Sequence, residues 1–299
     1  MTDPESGRPD LTRIATLRGL LAAADARPLR RLGQNFLVDA NVRDAIVRAV
    51  LSDPVDGVVE VGSGPGGLTQ GLVDAGVRVL ALEVDPRMRA VLQDVLGGAA
   101  NLTVVANDAR DLAWLPWVED PGRWALVGNL PYAVTSELLT RLVPLPFSRQ
   151  VLMVQREVAQ RLVAAPGSRA RGAITVFREY HASARILMRV APGSFYPRPG
   201  VESAVVELRP RAESDPREAG QLRQVVRAAF GQRRKTLRRA LAGGLALPGA
   251  RVEAWLDRAQ VDGGLRAEEL ALEDFLRLAR TMTELEGRSC SFTPPPAAP

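Results

Sequence analysis

Four apolar runs in the first half of the chain each end on residues equipped to hold a ligand. The first leads into Glu60-Val61-Gly62-Ser63-Gly64-Pro65-Gly66-Gly67-Leu68-Thr69, where glycines at 62, 64 and 66 let the backbone come close to a nucleotide-like group. A tight strand-to-helix turn would show the same letters, so this loop alone leaves both readings open. The second run ends at Glu83, a carboxylate suited to accept from ribose hydroxyls and to repel a 2′-phosphate. The third ends at Asn107-Asp108-Ala109, whose carboxylate can accept from an adenine amine. The fourth ends at Asn129-Leu130-Pro131-Tyr132. There the Asn129 side-chain oxygen and the Leu130 carbonyl can hold both N–H bonds of an aromatic amine and turn its lone pair toward an electrophile. Pro131 would stiffen that turn, and Tyr132 would offer a ring on which a base stacks. Each motif by itself is an ordinary turn, but together they mark one sheet edge where ligands gather.

Such an edge needs parallel strands with helices between them. Strand-like runs occur at Val58–Val61, Val77–Leu82, Leu102–Val105, Trp124–Val127 and Val151–Val154, and further candidates at Arg185–Val190 and Ser203–Leu208. Helical spacing separates them at Leu68–Val73, Arg87–Leu96, Ser136–Val143 and Glu157–Val163, and Asp39 is placed to cap another helix. Strands apolar throughout and alternating with helices predict an α/β doubly wound domain over residues 31–210. Residues 1–30 read as a partly disordered arm with a short amphipathic helix within 11–25. Residues 210–220 read as a linker, 217–286 as a small all-helical domain, and 287–299 as a flexible Pro-rich tail.

The chain has 299 residues, enough for about two domains. Its 46% hydrophobic and 24% charged residues exclude wholesale disorder. No apolar run approaches the ~18 residues of a membrane span, and the N-terminus lacks the pattern of a secretory signal, so a cytoplasmic protein is expected. A single cysteine, Cys290, and a single histidine, His181, leave no material for a disulfide or for a thiol or imidazole metal cluster. Both read as structural or inert, and Trp114, Trp117 and Trp124 as packing residues. Net charge is +5, but its distribution is uneven: residues 36–148 carry 8 arginines against 14 acids. Residues 149–198 carry 9 arginines against 2 acids, and residues 221–243 carry 7 basic residues and no acid. Two basic stretches beside an acidic lobe suit a polyanion, although solvated helix faces in an arginine-rich chain would look alike.

These motifs, taken with Gly33-Gln34-Asn35-Phe36-Leu37, Phe195-Tyr196-Pro197-Arg198-Pro199 and Val201-Glu202-Ser203-Ala204-Val205-Val206, resemble the ribosomal RNA adenine dimethyltransferases over about residues 30–245. Arg233-Arg234-Lys235-Thr236-Leu237-Arg238 resembles the branch that modifies small-subunit rRNA. The sequence departs in Ser63, where proline is usual, and Glu202, where aspartate is commoner. The resemblance implies a Rossmann-like S-adenosylmethionine-dependent methyltransferase sheet of about seven strands with a helical C-terminal domain. It implies S-adenosylmethionine contacts from Asn35, Leu37, Gly62, Gly64, Glu83, Asp108 and Asn129. It places Asn129, Leu130, Pro131 and Tyr132 at the acceptor, with Tyr132 and Phe195 sandwiching a flipped adenine. It implies RNA contacts from Arg223, Arg227, Arg233, Arg234, Lys235 and Arg238; of the arginines in the two basic runs, about half are expected near RNA and the others to pair with acids or cover apolar surface. The implied substrate is a pair of adjacent adenosines in the 3′-terminal hairpin of 16S rRNA within a 30S particle, dimethylated at N6 by a monomer without metal. Rival readings are a 23S rRNA dimethyltransferase of the resistance type and a mainly non-catalytic ribosome-assembly factor.

Overall fold

The computed structural model describes residues 8–29, 33–211 and 215–287. They fall into two compact units, one drawn from residues up to Val163 together with Ala182–Pro210, the other from Ala164–His181 together with residues from Arg211 on.

The first unit is built on β2 (Gly57–Val61), β3 (Val79–Leu82), β4 (Leu102–Val105), β5 (Trp124–Asn129), β6 (Arg149–Gln155), β7 (Ala182–Val190) and β9 (Ser203–Pro210). Their order is β4-β3-β2-β5-β6-β9-β7, parallel from β4 to β6, with β9 antiparallel to both of its neighbours. β2 and β3 are buried at every residue, the pattern of strands covered on both faces, whereas the edge strand β4 is partly exposed. The chain winds outward from β2 through β3 to β4, then returns to place β5 on the other side of β2. The loops after β2 and β5 therefore meet at the switch point, where such sheets hold ligands. Helices α2 (Ala40–Val50), α3 (Gly67–Asp74), α4 (Pro86–Leu96), α5 (Thr135–Leu142) and α6 (Arg156–Leu162) connect the strands. Asp39 caps α2 as expected, accepting from the Asn41 and Val42 N–H groups at 3.1 and 3.3 Å.

One pairing escaped the sequence. A two-residue antiparallel ladder joins β1 (Phe36–Leu37) to β8 (Phe195–Tyr196). The short amphipathic helix expected within 11–25 is α1 (Ile14–Ala23), which buries Leu17 and Leu21 with Ala26, Phe36, Met88 and Val91, while residues 1–7 lie outside the described residues. Trp114 and Trp124 are buried, but Trp117 is 57% exposed and does not pack as expected.

The second unit comprises α7 (Ala173–His181), α8 (Pro216–Phe230), α9 (Leu237–Leu245), α10 (Gly249–Ala259) and α11 (Leu272–Gly287). Trp255, Phe275, Leu222 and Val225 lie in its core together with Val176 of α7. Residues 164–181, read from sequence as part of a continuous α/β lobe, therefore belong to the helical unit. Arg171 anchors them: it is fully buried, bonds Glu179 at 2.7 and 2.9 Å, and donates to the Leu270 carbonyl. His181, as expected, is structural, edge-on to the Phe177 and Tyr180 rings, and burial pushes it down to about 4. The expected linker is shorter than 210–220, because Asp215 caps α8 and Pro216 opens it. Residues 288–299, including Cys290 and the expected tail, lie outside the described residues.

At the amino end of β6, Arg149 is 2% exposed and reaches Glu207 at 3.0 Å, Asp53 and the Ala49 carbonyl. Glu207, 4% exposed, also takes Arg185 at 2.5 Å and Arg209 at 3.2 Å. Arg149 and Glu207 are the buried pair of this cluster, with Asp53, Arg185 and Arg209 exposed, so removing the Glu207 charge takes from the buried Arg149 its buried counter-charge. Glu207→Gln should therefore lower unfolding stability by about 3 kcal/mol, read from urea denaturation of the full chain.

Candidate active site

One pocket of the first unit gathers the residues singled out at the four strand ends. Asn35, Leu37, Gly62, Gly64, Glu83 and Asp108 line it, as do Asn129, Leu130, Pro131 and Tyr132. Phe195 does not. It is 3% exposed in the core with Leu37, Val190 and Val205. The β1–β8 ladder pairs it with Leu37.

The loop after β2 is tied to β3, since the Gly62 and Ser63 N–H groups both donate to the Leu82 carbonyl at 2.9 and 3.2 Å. Gly64 sits at φ +56, the left-handed region that favours glycine, and a Cβ there would crowd the Phe36 ring at 3.2 Å. Its N–H donates to Glu83 Oε2 at 2.7 Å while the Asp85 N–H donates to Oε1 at 2.8 Å. These bonds fix the carboxylate and leave each oxygen a second lone pair for a ligand hydroxyl. Burial raises the Glu83 carboxyl above its ordinary range. Asp85 caps α4 and holds Arg87 at 2.8 Å, so it serves that helix and forms no acid–base pair with Glu60. Gln34, which sequence reasoning left without a role, donates to Asp85 at 3.2 Å and accepts from the Leu29 N–H at 2.8 Å.

Asp108 reaches the pocket already paired. Arg110 grips it at 2.6 and 2.9 Å and also reaches Glu137 on α5 at 3.1 Å. The Arg110 guanidinium holds the Asp108 carboxyl below its usual value. Arg110 was missed in the sequence because its partners are a neighbour two residues away and a distant helix.

The acceptor side is set by hydrogen bonds of defined polarity. Asn129 Nδ2 donates to the Asn35 main-chain carbonyl at 2.7 Å. A carbonyl only accepts, so the amide nitrogen must face it, which leaves Asn129 Oδ1 as the acceptor. Gly33, at φ +64, lies so close to this turn that a Cβ would stand 3.1 Å from the Tyr132 nitrogen. The Leu130 N–H is taken by the Met153 carbonyl at 3.0 Å, and the Pro131 carbonyl accepts from Thr135 Oγ1 at 2.8 Å. The Tyr132 hydroxyl lies 2.5 Å from Ser203 Oγ, and burial keeps the phenol neutral by raising it further.

Three buried atoms of the pocket lining, Glu60 Oε2, Ser63 Oγ and Asn107 Oδ1, have no hydrogen-bond partner among the described residues. Orphaned acceptors in a pocket rich in carboxylates suit a cationic ligand with several donors. S-adenosylmethionine is one: its ammonium, ribose hydroxyls and adenine amine supply donors, and its charge matches Glu60 and Glu83. The residues present fit that group.

The RNA-contact candidates lie in the second unit, and all six are exposed. Arg227, Arg234 and Lys235 have no acidic partner among the described residues. Arg223 covers the Phe177 ring at 5.2 Å, Arg233 donates to the Arg169 and Arg171 carbonyls, and Arg238 pairs with Glu253 at 3.0 Å. Within the 149–198 run, Arg149, Arg171 and Arg178 are buried. Part of this stretch was expected to pair with acids or cover apolar surface and not to meet RNA, and these three are such residues, holding the fold.

Glu60 makes the pocket's charge measurable. Burial pushes its carboxyl up to about 7 from 4.5. Between those values the folded chain holds a proton that the unfolded chain has lost, so Glu60 lowers stability progressively as pH rises from 4.5 to about 7. Glu60→Gln removes this dependence. Its melting temperature should exceed that of the unmodified chain by about 5 °C at pH 8 and by little at pH 4.5, read by thermal melts across that range.

Residues 27–284 match the ribosomal RNA adenine dimethylase family. The chain is 40% identical over 290 residues to the ribosomal RNA small subunit methyltransferase A of Pelotomaculum thermopropionicum, covering 92% of this chain and 98% of that one. It is 45% identical over 273 residues to the protein of the same name from Kineococcus radiotolerans, covering 88% and 89%. Among solved structures, the 23S rRNA methyltransferase ErmE superposes with a TM-score of 0.60 at 29% identity, over 83% of this chain and all of that one. A dimethyladenosine transferase from Plasmodium falciparum shares the fold, with a TM-score of 0.64 at 24% identity over 85% and 98% of the two chains. The chain belongs to the ribosomal RNA adenine dimethylase family and is an S-adenosylmethionine-dependent rRNA adenine methyltransferase.

Proposed function

We propose that the protein dimethylates N6 of two adjacent adenosines in the 3′-terminal hairpin of 16S rRNA, acting as a cytoplasmic monomer on a 30S particle, with a role in small-subunit assembly. The carrying observation is the orientation of Asn129. Its Oδ1 is left to accept at the turn where the Leu130 carbonyl also lies, beside the loop that orients Glu83. An exocyclic adenine amine has two N–H bonds and a delocalised lone pair. Two acceptors that hold both N–H bonds rehybridise the nitrogen and direct the pair along a single line. S-adenosylmethionine supplies the methyl group on a sulfonium, which leaves as a neutral thioether without an acid.

This chain's residues do the rest by position. Asn35, Leu37, Gly62, Gly64, Glu83 and Asp108 hold the donor side, with Glu83 offered to the ribose and Asp108 to the adenine edge. Asn129 Oδ1 and the Leu130 carbonyl hold the acceptor amine, Pro131 stiffens the turn and Tyr132 stacks on the base. The alkylated nitrogen is acidic and releases its proton to water, so the lack of an assigned general base is consistent with the chemistry. Higher identity to the small-subunit relatives, at 40% and 45%, than to ErmE, at 29%, favours the small subunit as target. On the second unit, Arg227, Arg234 and Lys235 supply cations with no acidic partner among the described residues, which suits a phosphate backbone recognised by shape.

Asn129→Ala should lower methyl transfer by at least about 100-fold while leaving RNA affinity unchanged, measured with unmethylated small subunits by mass spectrometry and by filter binding. Parallel loss of both would remove Asn129 from the acceptor role. Replacing Arg227, Arg234 and Lys235 together by alanine should reduce the salt slope of RNA binding by about 0.7–0.9 for each phosphate that is no longer neutralised. An unchanged slope would place the RNA elsewhere.

A further inference from the structure

Of the two rings expected to grip the acceptor base, only Tyr132 lines the pocket among the described residues, because Phe195 is turned into the core. The placement of that ring is therefore set by whatever holds its two ends. At the Cα end, the turn is braced by the Pro131 carbonyl, which accepts from Thr135 Oγ1 at 2.8 Å and from the Val134 N–H at 3.2 Å. At the far end, the phenol oxygen meets Ser203 Oγ at 2.5 Å. Ser203 is the first residue of β9 and is fully buried. It is paired on one side with Gln155 of β6 and on the other with Val190 of β7, so its hydroxyl is presented from a strand held on both edges. Holding the phenol oxygen fixes where the ring lies through its first side-chain torsion, and the preference of a phenol O–H for the ring plane restrains rotation about the second.

We propose that Ser203 is a positioning residue that clamps the Tyr132 ring, and that the clamp serves the second methyl transfer more than the first. The inference rests on the adenosine dimethylation proposed above. Each transfer forms an N–C bond and breaks a C–S bond, the bonding pair stays on sulfur, and the nitrogen releases one proton to water. The unmethylated amine presents two N–H bonds to two acceptors, Asn129 Oδ1 and the Leu130 carbonyl. After one transfer a single N–H remains, so one acceptor loses its partner and the base is aligned more by stacking. Loosening the ring costs little while both hydrogen bonds steer the amine, and more once only one does.

The test compares the unmodified chain with Ser203→Ala, Tyr132→Phe and the double variant, each given unmethylated small subunits and S-adenosylmethionine. Mass spectrometry follows N6-methyladenosine and N6,N6-dimethyladenosine over time. Both single variants should slow the second transfer about fivefold to tenfold more than the first, so that the monomethyl product accumulates. The double variant should match either single one, because all three lack the same hydrogen bond. Tyr132→Phe leaves the ring's volume intact and decides the matter even if Ser203→Ala fails to fold, which melting curves report. Dimethylation by the unmodified chain with an unchanged product ratio in the variants, or additive losses in the double variant, would overturn the clamp alone. An unmodified, folded chain that methylates no adenosine would overturn the functional reading and the clamp together.

Discussion

The bond from Asn129 Nδ2 to the Asn35 carbonyl decides what the pocket can do. An asparagine amide is nearly symmetric in shape but opposite in polarity at its two ends, and only one orientation offers an acceptor to an incoming amine. A main-chain carbonyl is a partner that cannot invert, so the choice is made by the backbone of β1's leading segment and not by the ligand. That segment can approach because Gly33 takes a left-handed conformation with no side chain against the Tyr132 turn. Two stretches of chain almost a hundred residues apart thus share one piece of chemistry. The first of them lies outside the seven-stranded sheet, where β1 pairs with β8, and the second ends β5 within it.

The donor side follows a different principle. Glu60 and Glu83 are buried, and burial raises both carboxyls. Glu83 is steadied by two backbone N–H groups, whereas Glu60 keeps one oxygen without a partner among the described residues. Such a pocket is costly to the isolated chain and becomes favourable when a cation with donors fills it, which is the expected trade at a binding site. Asp108 is treated otherwise, being paired with Arg110, which spreads the charge toward Glu137 and ties the third strand end to α5.

Arginine does two unrelated jobs here. Arg149 and Arg171 are almost wholly buried and bonded to carboxylates and carbonyls, so they act as crosslinks whose loss would strand a charge. Arg227, Arg234 and Lys235 stand in solvent without acidic partners among the described residues, where long cationic side chains remain available to phosphates. Counting charges along a stretch cannot separate the two, because burial and pairing depend on which distant acid arrives beside each guanidinium.

The seven strands, their connecting helices and the Asp39 cap were legible in the sequence because each is written in a local pattern of a few residues. The four ligand-bearing strand ends were legible for the same reason, since a parallel sheet brings all carboxyl ends of its strands to one edge. What lay beyond reach were pairings between segments far apart: the β1–β8 ladder that takes Phe195 out of the pocket, the transfer of α7 to the helical unit, and the Tyr132–Ser203 contact. The sequence by itself determined which chemical groups are present and along which edge they collect. Tertiary structure decided how they face, since a hydrogen bond's direction and a ring's plane depend on a partner that local residue patterns do not specify.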